Sequence, residues 1–347
     1  SQSGFLKFPV AGEDDTHLLI WTTTPWTLPA NLAVAYHTKF NYKKVRVNGD
    51  LYIVESTLLP TVAETCGWEG VEEIQSMRGD EVGALEYRHP FIDKTAKLYA
   101  GDNFVENSTG TGFVHVAPGH GMDDYHLGSA NGLPIYCPVN DDGKFAHTDD
   151  LPVSEQMPTE LLGKSILEKK GKSEANEAVL ELLREKSALV HQENYTHSYP
   201  HCWRSKTPVI FRGMDQWFIN IDHEGFRQTA LVAIDGVNWV PDWGKARIQA
   251  AVESRPDWCI SRQRTWGVPI PAFYSADGEP LLDARIVRKT ADLIEQHGSN
   301  IWFERDTAEL WADVKPDDWT GEAPTAKSTD TLDVWIDSGS SSRAVLM

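Results

Sequence analysis

Along the first half of the chain, apolar positions come in short bursts separated by turn residues. His17-Leu18-Leu19-Ile20-Trp21 is a β-prone run closed by a polar, proline-bearing segment. Val45-Arg46-Val47 and Leu51-Tyr52-Ile53-Val54 flank Asn48-Gly49, a pair that suits the positive φ values of a tight hairpin turn. Leu58 to Cys66 predicts a short helix ended by Gly67. Phe113-Val114-His115-Val116 predicts another strand, broken by Ala117-Pro118-Gly119. Residues 1 to about 150 therefore read as a barrel-like β domain with a few helices.

Residues 141–172 are polar and rich in Asp, Pro and Gly, and read as connector. The clearest helical period follows, from Ser173 to Lys186. Ser173 suits the N-cap, Glu174 and Glu177 suit the positive end of the helix, and Val179, Leu180, Leu182 and Leu183 form its apolar face. Beyond about residue 196, strand-like runs (Thr207–Phe211, Trp258–Ser261, Leu332–Ile336) alternate with helical ones (Asp222–Ile234, Lys245–Ser254, Asp283–Gln296). That alternation predicts part of an α/β sheet, and Asp337-Ser338-Gly339-Ser340-Ser341-Ser342 reads as the loop after its last strand.

Composition narrows the picture. The 347 residues carry a formal charge of −19, against a coating role on nucleic acid but not against one local groove. No apolar run is long enough to span a bilayer, so no membrane association is expected. Cys66, Cys137, Cys202 and Cys259 lie far apart with no Cys-x-x-Cys pair, which fits reduced thiols in a cytoplasm. Thirteen tryptophans require extensive aromatic packing or stacking surfaces, and those at 203, 217, 239, 243, 258, 266 and 335 read mostly as structural. The chain opens Ser1-Gln2-Ser3-Gly4 without Met and stops at Met347, which suggests an internal piece of a longer protein.

Two segments carry candidate chemistry. In Trp21-Thr22-Thr23-Thr24-Pro25-Trp26-Thr27-Leu28-Pro29-Ala30-Asn31, three hydroxyls that both donate and accept follow a strand, and two prolines stiffen the loop. A threonine-rich edge ending in a proline turn is the plainer reading. In Gly110-Thr111-Gly112-Phe113-Val114-His115-Val116-Ala117-Pro118-Gly119-His120-Gly121-Met122-Asp123-Asp124-Tyr125, Gly112 and Gly119 allow close backbone approach, and a helix starts near Met122. Asp123 and Asp124 suit its N-terminus, yet both cannot cap it equally, which leaves one to face a pocket and bind an ammonium group. His115 and His120 read equally as core histidines. His115, His120, Asp123 and Asp124 match no metal-ligand spacing, so no metal is expected.

Taken together, the two segments resemble the editing domain of class I aminoacyl-tRNA synthetases for branched aliphatic amino acids, and within that group the isoleucyl enzymes. His197-Ser198-Tyr199-Pro200-His201-Cys202-Trp203-Arg204, Gln216-Trp217-Phe218, Trp258 to Ile270 and Asp333-Val334-Trp335-Ile336-Asp337-Ser338-Gly339-Ser340 extend the resemblance, in family order, over nearly the whole chain. The resemblance implies a β-barrel-like editing domain with peripheral helices at 1–195. Residues 196–347 would then be connective segments and the incomplete second part of a Rossmann-like catalytic domain. It implies hydrolysis of valine from mischarged tRNA(Ile), because a hydrophobic pocket discriminates weakly against one missing methylene and a second hydrolytic site must do so.

In that reading Asp124 binds the substrate α-ammonium. Thr22, Thr23 and Thr24, with Asn31, hold the terminal adenosine, the ester carbonyl and the water. His115 lines the side-chain pocket, and Trp26, Gly119 and His120 complete the substrate site. Gln263 and Trp266 resemble remnants of the synthetic pocket, with core packing favoured for Trp266. Arg255, Arg262 and Arg264 face either RNA phosphate or surface carboxylates. The resemblance implies a cytoplasmic monomer that engages the tRNA(Ile) acceptor end and needs no cofactor for editing. The His-Ile-Gly-His and Lys-Met-Ser-Lys-Ser signatures are absent, so ATP and Mg belong to the full-length enzyme only. Where some members carry Cys-Trp-Arg-Cys, this chain has Cys202-Trp203-Arg204-Ser205, so structural zinc is not expected. Two alternatives stand beside editing: an acceptor-end binding module without turnover, and a free-standing trans-editing factor.

Overall fold

A computed structural model describes all residues except Ser1, Asp14, Lys169, Lys170 and Met347. The chain divides into two compact units, Ser1–Met214 and Asp215–Met347.

The first unit begins with β1 (Gln2–Pro9) and β2 (Thr16–Thr22), followed by a buried 3-10 turn at Pro25–Ala30 and β3 (Ala33–Tyr36). Next come β4 (Asn41–Val47), β5 (Asp50–Glu55), α1 (Leu59–Thr65), β6 (Glu72–Arg78) and α2 (Gly79–Val82). Then follow β7 (Glu86–Arg88), β8 (Thr95–Ala100), β9 (Phe113–Val116), α3 (Met122–Ala130), α4 (Glu174–Glu185) and β10 (Leu189–Asn194).

One sheet runs β10-β1-β2-β5-β4-β6 and the other β7-β8-β3-β9. The β4–β5 hairpin turns at Asn48 (φ 51°) and Gly49 (φ 96°), as their sequence predicts. The central strands β1, β2 and β5 of the six-stranded sheet are buried on both faces. Leu6, Leu18, Ile20 and Ile53 join one core with α4, while Phe5, Leu19, Val54 and Tyr52 join another with Leu58 and Val62. Burial on both sides explains the unbroken apolar run Leu18-Leu19-Ile20, where a half-exposed strand would alternate. Both strand orders are open, so the expected barrel does not close among the described residues. In the six-stranded sheet, β6 ends one side with a mostly exposed face and β10 ends the other.

Ser173 caps α4 as expected, its hydroxyl accepting the Asn176 N–H at 3.3 Å while donating to the Ser165 carbonyl. The cap fixes Asn176 in the first turn, and α4 packs against the Pro25–Ala30 turn.

The second unit holds α5 (Phe226–Asp235), α6 (Trp243–Glu253), α7 (Ala284–His297), α8 (Ile301–Glu304), α9 (Thr307–Val314) and α10 (Val334–Leu346). Its core gathers Phe273, Ile286, Trp302, Leu310, Trp311 and Val314. Its strands are only two residues long, and every pairing among them is antiparallel. Helices and strands do alternate here, as expected, but a Rossmann-like sheet is not seen among the described residues. Leu332–Ile336 is likewise not a strand. The ladder stops at Leu332, Asp333 accepts the Trp335 N–H through Oδ1, and the serine-rich run continues as α10. Of the seven tryptophans read as structural, Trp203, Trp243, Trp266 and Trp335 are exposed.

Candidate functional site

The threonine loop is shaped from beneath. Thr22 ends β2, and its hydroxyl oxygen accepts the Thr24 N–H at 3.1 Å, which turns the chain into Pro25–Ala30. The carbonyls at the far end of that turn are held by two buried donors, a neutral histidine and a lysine. His89 Nε2–H donates to the Leu28 carbonyl at 3.1 Å, while its Nδ1 accepts N–H groups from Phe91 and Ile92. The Lys94 ammonium donates to the Asn31 carbonyl, and burial pushes its pKa down to about 8.

Asn31 itself is fully buried. Its amide oxygen accepts from the Tyr87 hydroxyl at 2.6 Å, and its amide nitrogen donates to the Ala33 carbonyl at 2.8 Å. Both amide atoms therefore have partners in the fold, one from β7 and one at the start of β3. Asn31 is a brace.

Above the brace, Thr23, Thr24 and Trp26 line a cavity of about 530 Å³ inside the first unit. Asn176 of α4 reaches the cavity and accepts the Trp26 backbone N–H at 2.9 Å, which pins the loop. On the other side of the loop, the Thr27 hydroxyl donates to the Thr24 carbonyl and lies 2.9 Å from His115 Nε2. Because the Thr27 proton is used, His115 Nε2–H is the donor, leaving Nδ1 a bare acceptor. Among the described residues that buried Nδ1 has no partner.

His120 is arranged the same way: its Nδ1–H donates to the Phe211 carbonyl at 2.9 Å, and its buried Nε2 has no partner among the described residues. Its ring meets Trp26 edge to face at 5.0 Å between centroids. Burial pushes both imidazoles down to about 4, with His120 adding to the effect on His115 and Arg212 to that on His120. Both rings are neutral at pH 7.

Asp123 is exposed, and neither aspartate caps α3, whose N-cap is Gly121. Asp124 instead folds back, and its Oδ2 accepts the Ala117 N–H at 2.9 Å, just beyond β9. Burial raises its carboxyl to about 6, with the Ala117 hydrogen bond opposing and Asp123 assisting.

Glycine is required where this segment touches its neighbours. A Cβ on Gly119 would lie 2.3 Å from the Tyr136 carbonyl oxygen, and one on Gly112, at φ +82°, 2.2 Å from the Glu55 Cβ. The Gly119 carbonyl accepts the Gly213 N–H at 2.6 Å, so residues 211–213 run alongside the site.

The sequence therefore locates Thr23, Thr24, Trp26, His115, Gly119, His120 and Asp124 in one neighbourhood of the first unit. It misses Thr27, whose only signal is its place in the same loop, and Tyr87, His89, Lys94 and Asn176, which carry none. Gln263 is exposed and donates to Gln216 and Asp330 in the second unit. Trp266 is 87% exposed, which corrects the expectation of core packing: it sits in a loop just before Gly267, at φ +153°. Arg262 pairs with the buried Asp333 at 2.7 Å, and Arg255 lies over the Trp258 ring. Cys202 has no second thiolate beside it, and among the described residues no cluster of three or more His, Cys, Asp or Glu is placed to hold a metal ion.

Residues 15–347 match the family model for class I tRNA synthetases (I, L, M and V). An isoleucine–tRNA ligase of Thermotoga neapolitana is 44% identical over 98% of this chain and 36% of its own length. One of Bacillus cereus is 43% identical over 100% of this chain and again 36% of its own. The chain thus spans about a third of these relatives. Among solved structures, GlLeuRS-CP1 aligns with TM-score 0.39 and 13% identity over 58% of this chain and 100% of that one. The Plasmodium falciparum cytosolic leucyl-tRNA synthetase editing domain aligns with TM-score 0.31 and 12% identity over 36% and 64%. No helix among the described residues is long and apolar enough to cross a membrane. With a family model matched from residue 15 to the last residue, the chain belongs to the class I tRNA synthetases.

Proposed function

We propose that the first unit hydrolyses the ester between a small aliphatic amino acid, valine, and the 3′ end of tRNA(Ile). The observation that carries this reading is the run of acceptors along one strand–turn–helix segment: His115 Nδ1, His120 Nε2 and the Asp124 carboxylate. Such a set of acceptors suits a cationic donor, and an α-ammonium group is what distinguishes an aminoacyl ester from an ordinary one.

In this mechanism Asp124 holds the ammonium. Thr23 and Thr24 offer hydroxyls to the ester and to a water molecule, and their loop is fixed by the Asn31 brace. The water oxygen attacks the ester carbonyl, the bond to the ribose oxygen breaks, and the water proton leaves with that oxygen. Imidazoles held near 4 are weak bases, so positioning of water and polar stabilisation of the carbonyl carry most of the rate. His115, held by Thr27, bounds the side-chain pocket against isoleucine. The reaction takes place in the cytoplasm on a monomer and draws on no cofactor of its own. ATP and Mg serve amino-acid activation in the whole synthetase.

The test is deacylation of Val-tRNA(Ile) by the 347-residue chain, with Ile-tRNA(Ile) as control. Release of valine alone supports the reading. Binding without release, or equal release of both amino acids, refutes it.

A further inference from the structure

Alternation along β2 sends neighbouring side chains to opposite faces of the six-stranded sheet, so Trp21 points away from Thr22. Trp21 joins Phe5, its register partner on β1, on the face that packs against α1. Here the first unit holds a second cavity, of about 250 Å³, lined by Phe5, Trp21, Leu58, Val62, Glu193 and Tyr195 among others. Of its lining only Tyr195 also borders the cavity beside the threonine loop. Tyr195 meets Trp21 edge to face, at 88° and 4.9 Å between centroids, and the Phe5 centroid lies 6.3 Å from that of Trp21. The rings are close enough together for one cation to lie within about 6 Å of two centroids at once, the range of cation–π attraction. Glu193, half-buried on β10, supplies the carboxylate, and no Lys, Arg or His is among the described residues lining the cavity. Its charge is felt nearby: burial pushes the Cys66 thiol up to about 12, and Glu193 adds to the rise.

We propose that this cavity is a binding site for a small quaternary ammonium ion, held by the Glu193 charge and by the rings of Trp21, Phe5 and Tyr195. The site is separate from the ester chemistry and does not rest on the editing reading. A half-buried carboxylate with no cation in its cavity is costly to desolvate, and a bound cation offsets that cost. A quaternary ammonium has no N–H to satisfy, which suits walls of ring and aliphatic carbon beside a single carboxylate. A primary ammonium, with three donors, would leave some of them against Leu58, Val62 and the rings. Thr61 and Thr65, also in the lining, offer hydroxyls to a hydroxyl on the ligand. The volume lies below the roughly 300–1,000 Å³ of drug-sized sites, so the ligand is a small ion of the choline type.

The experiment titrates the 347-residue chain with choline, with its neutral isostere carrying carbon in place of nitrogen, and with ethanolamine, its unmethylated analogue. Binding is read by calorimetry and by tryptophan fluorescence, since Trp21 lines the cavity. Choline is expected to bind on the order of tenfold more tightly than either analogue. Glu193→Gln, which keeps the shape and removes the charge, should weaken choline on the order of tenfold and leave the neutral isostere unchanged. Failure of choline to saturate the parent protein, or an affinity no better than that of the isostere or of ethanolamine, overturns the proposal, and none of these results depends on a variant. Choline affinity unchanged in Glu193→Gln overturns it as well. Valine release from Val-tRNA(Ile) that falls as choline saturates the protein would put the ion in the threonine-loop cavity and overturn the assignment. Absence of valine release without choline would sink the editing reading alone.

Discussion

Replacing Asp124 by asparagine separates the chemistry of this carboxylate from its structural part. Asparagine keeps an oxygen for the Ala117 N–H, so the fold-back onto β9 survives, while the charge is lost. In the folded protein the carboxyl sits near 6, against an ordinary 3.8, because burial disfavours its charged form. The folded state therefore binds the proton more tightly than the unfolded chain. The resulting stability is complete below pH 3.8 and is lost as pH rises through 6. The loss amounts to about 3 kcal/mol as an upper figure.

His115 and His120 work in the opposite direction: held near 4, they add stability as pH climbs toward 6.5, so the parent curve alone is a mixture. The difference between parent and Asp124→Asn isolates the aspartate. Urea denaturation should find the two equally stable at pH 3.5. At pH 7.5 the variant should be the more stable, by on the order of 1–3 kcal/mol. Over the same range its deacylation of Val-tRNA(Ile) should fall by on the order of tenfold to a hundredfold, as expected for loss of a charged hydrogen bond. In the parent, kcat/KM should decline tenfold per pH unit below about 6, where the protonated carboxyl no longer pairs with an ammonium. A variant less stable than the parent at both pH values would refute the claim that the ionised carboxylate is strained by burial.

Other perturbations test the scaffold. Tyr87→Phe strands the buried Asn31 amide oxygen and should cost about 1–3 kcal/mol in chemical denaturation, with deacylation impaired through the loosened threonine loop. Gly119→Ala forces a Cβ against the Tyr136 carbonyl and should cost about 1–3 kcal/mol, read as a lower Tm. Ser173→Ala removes the cap of α4 and should cost about 1 kcal/mol, with helix content lost near Asn176 by hydrogen exchange. Leu183→Ala empties a fully buried position on the same helix and should cost about 2–5 kcal/mol.

What could be read from the sequence was local. Asn48-Gly49 needs only its own φ preferences to form a hairpin, and Ser173 needs only the next turn. Motifs spaced along the chain also brought Thr23, His115 and Asp124 into one neighbourhood. What stayed hidden depends on partners far away in sequence. Asn31 looks free until Tyr87 and Lys94 arrive from 56 and 63 residues downstream. Trp26 owes its position to Asn176, 150 residues on. The misreading of Leu332–Ile336 has a similar source: β-branched residues favour a strand, but Asp333, held by Arg262 and the Trp258 indole N–H, turns the chain into a helix there. Trp266 misleads because hydrophobicity alone favours burying a ring, whereas here the ring lies in a loop and is left exposed.

The pairing of β1 with β10 has one more consequence. Gln2 lies opposite Asn194 and Ser3 opposite Glu193, so the segment between them enters and leaves along one sheet edge, its ends about 5 Å apart. A stretch with adjoining ends can be spliced into a surface loop of another protein without stretching the host, since closing the gap costs little chain entropy. Residues 2–194 would enter and leave a host at one place, but His120 takes the Phe211 carbonyl and Gly119 the Gly213 N–H from beyond that cut, so a transplant that keeps the site carries the chain on to residue 214.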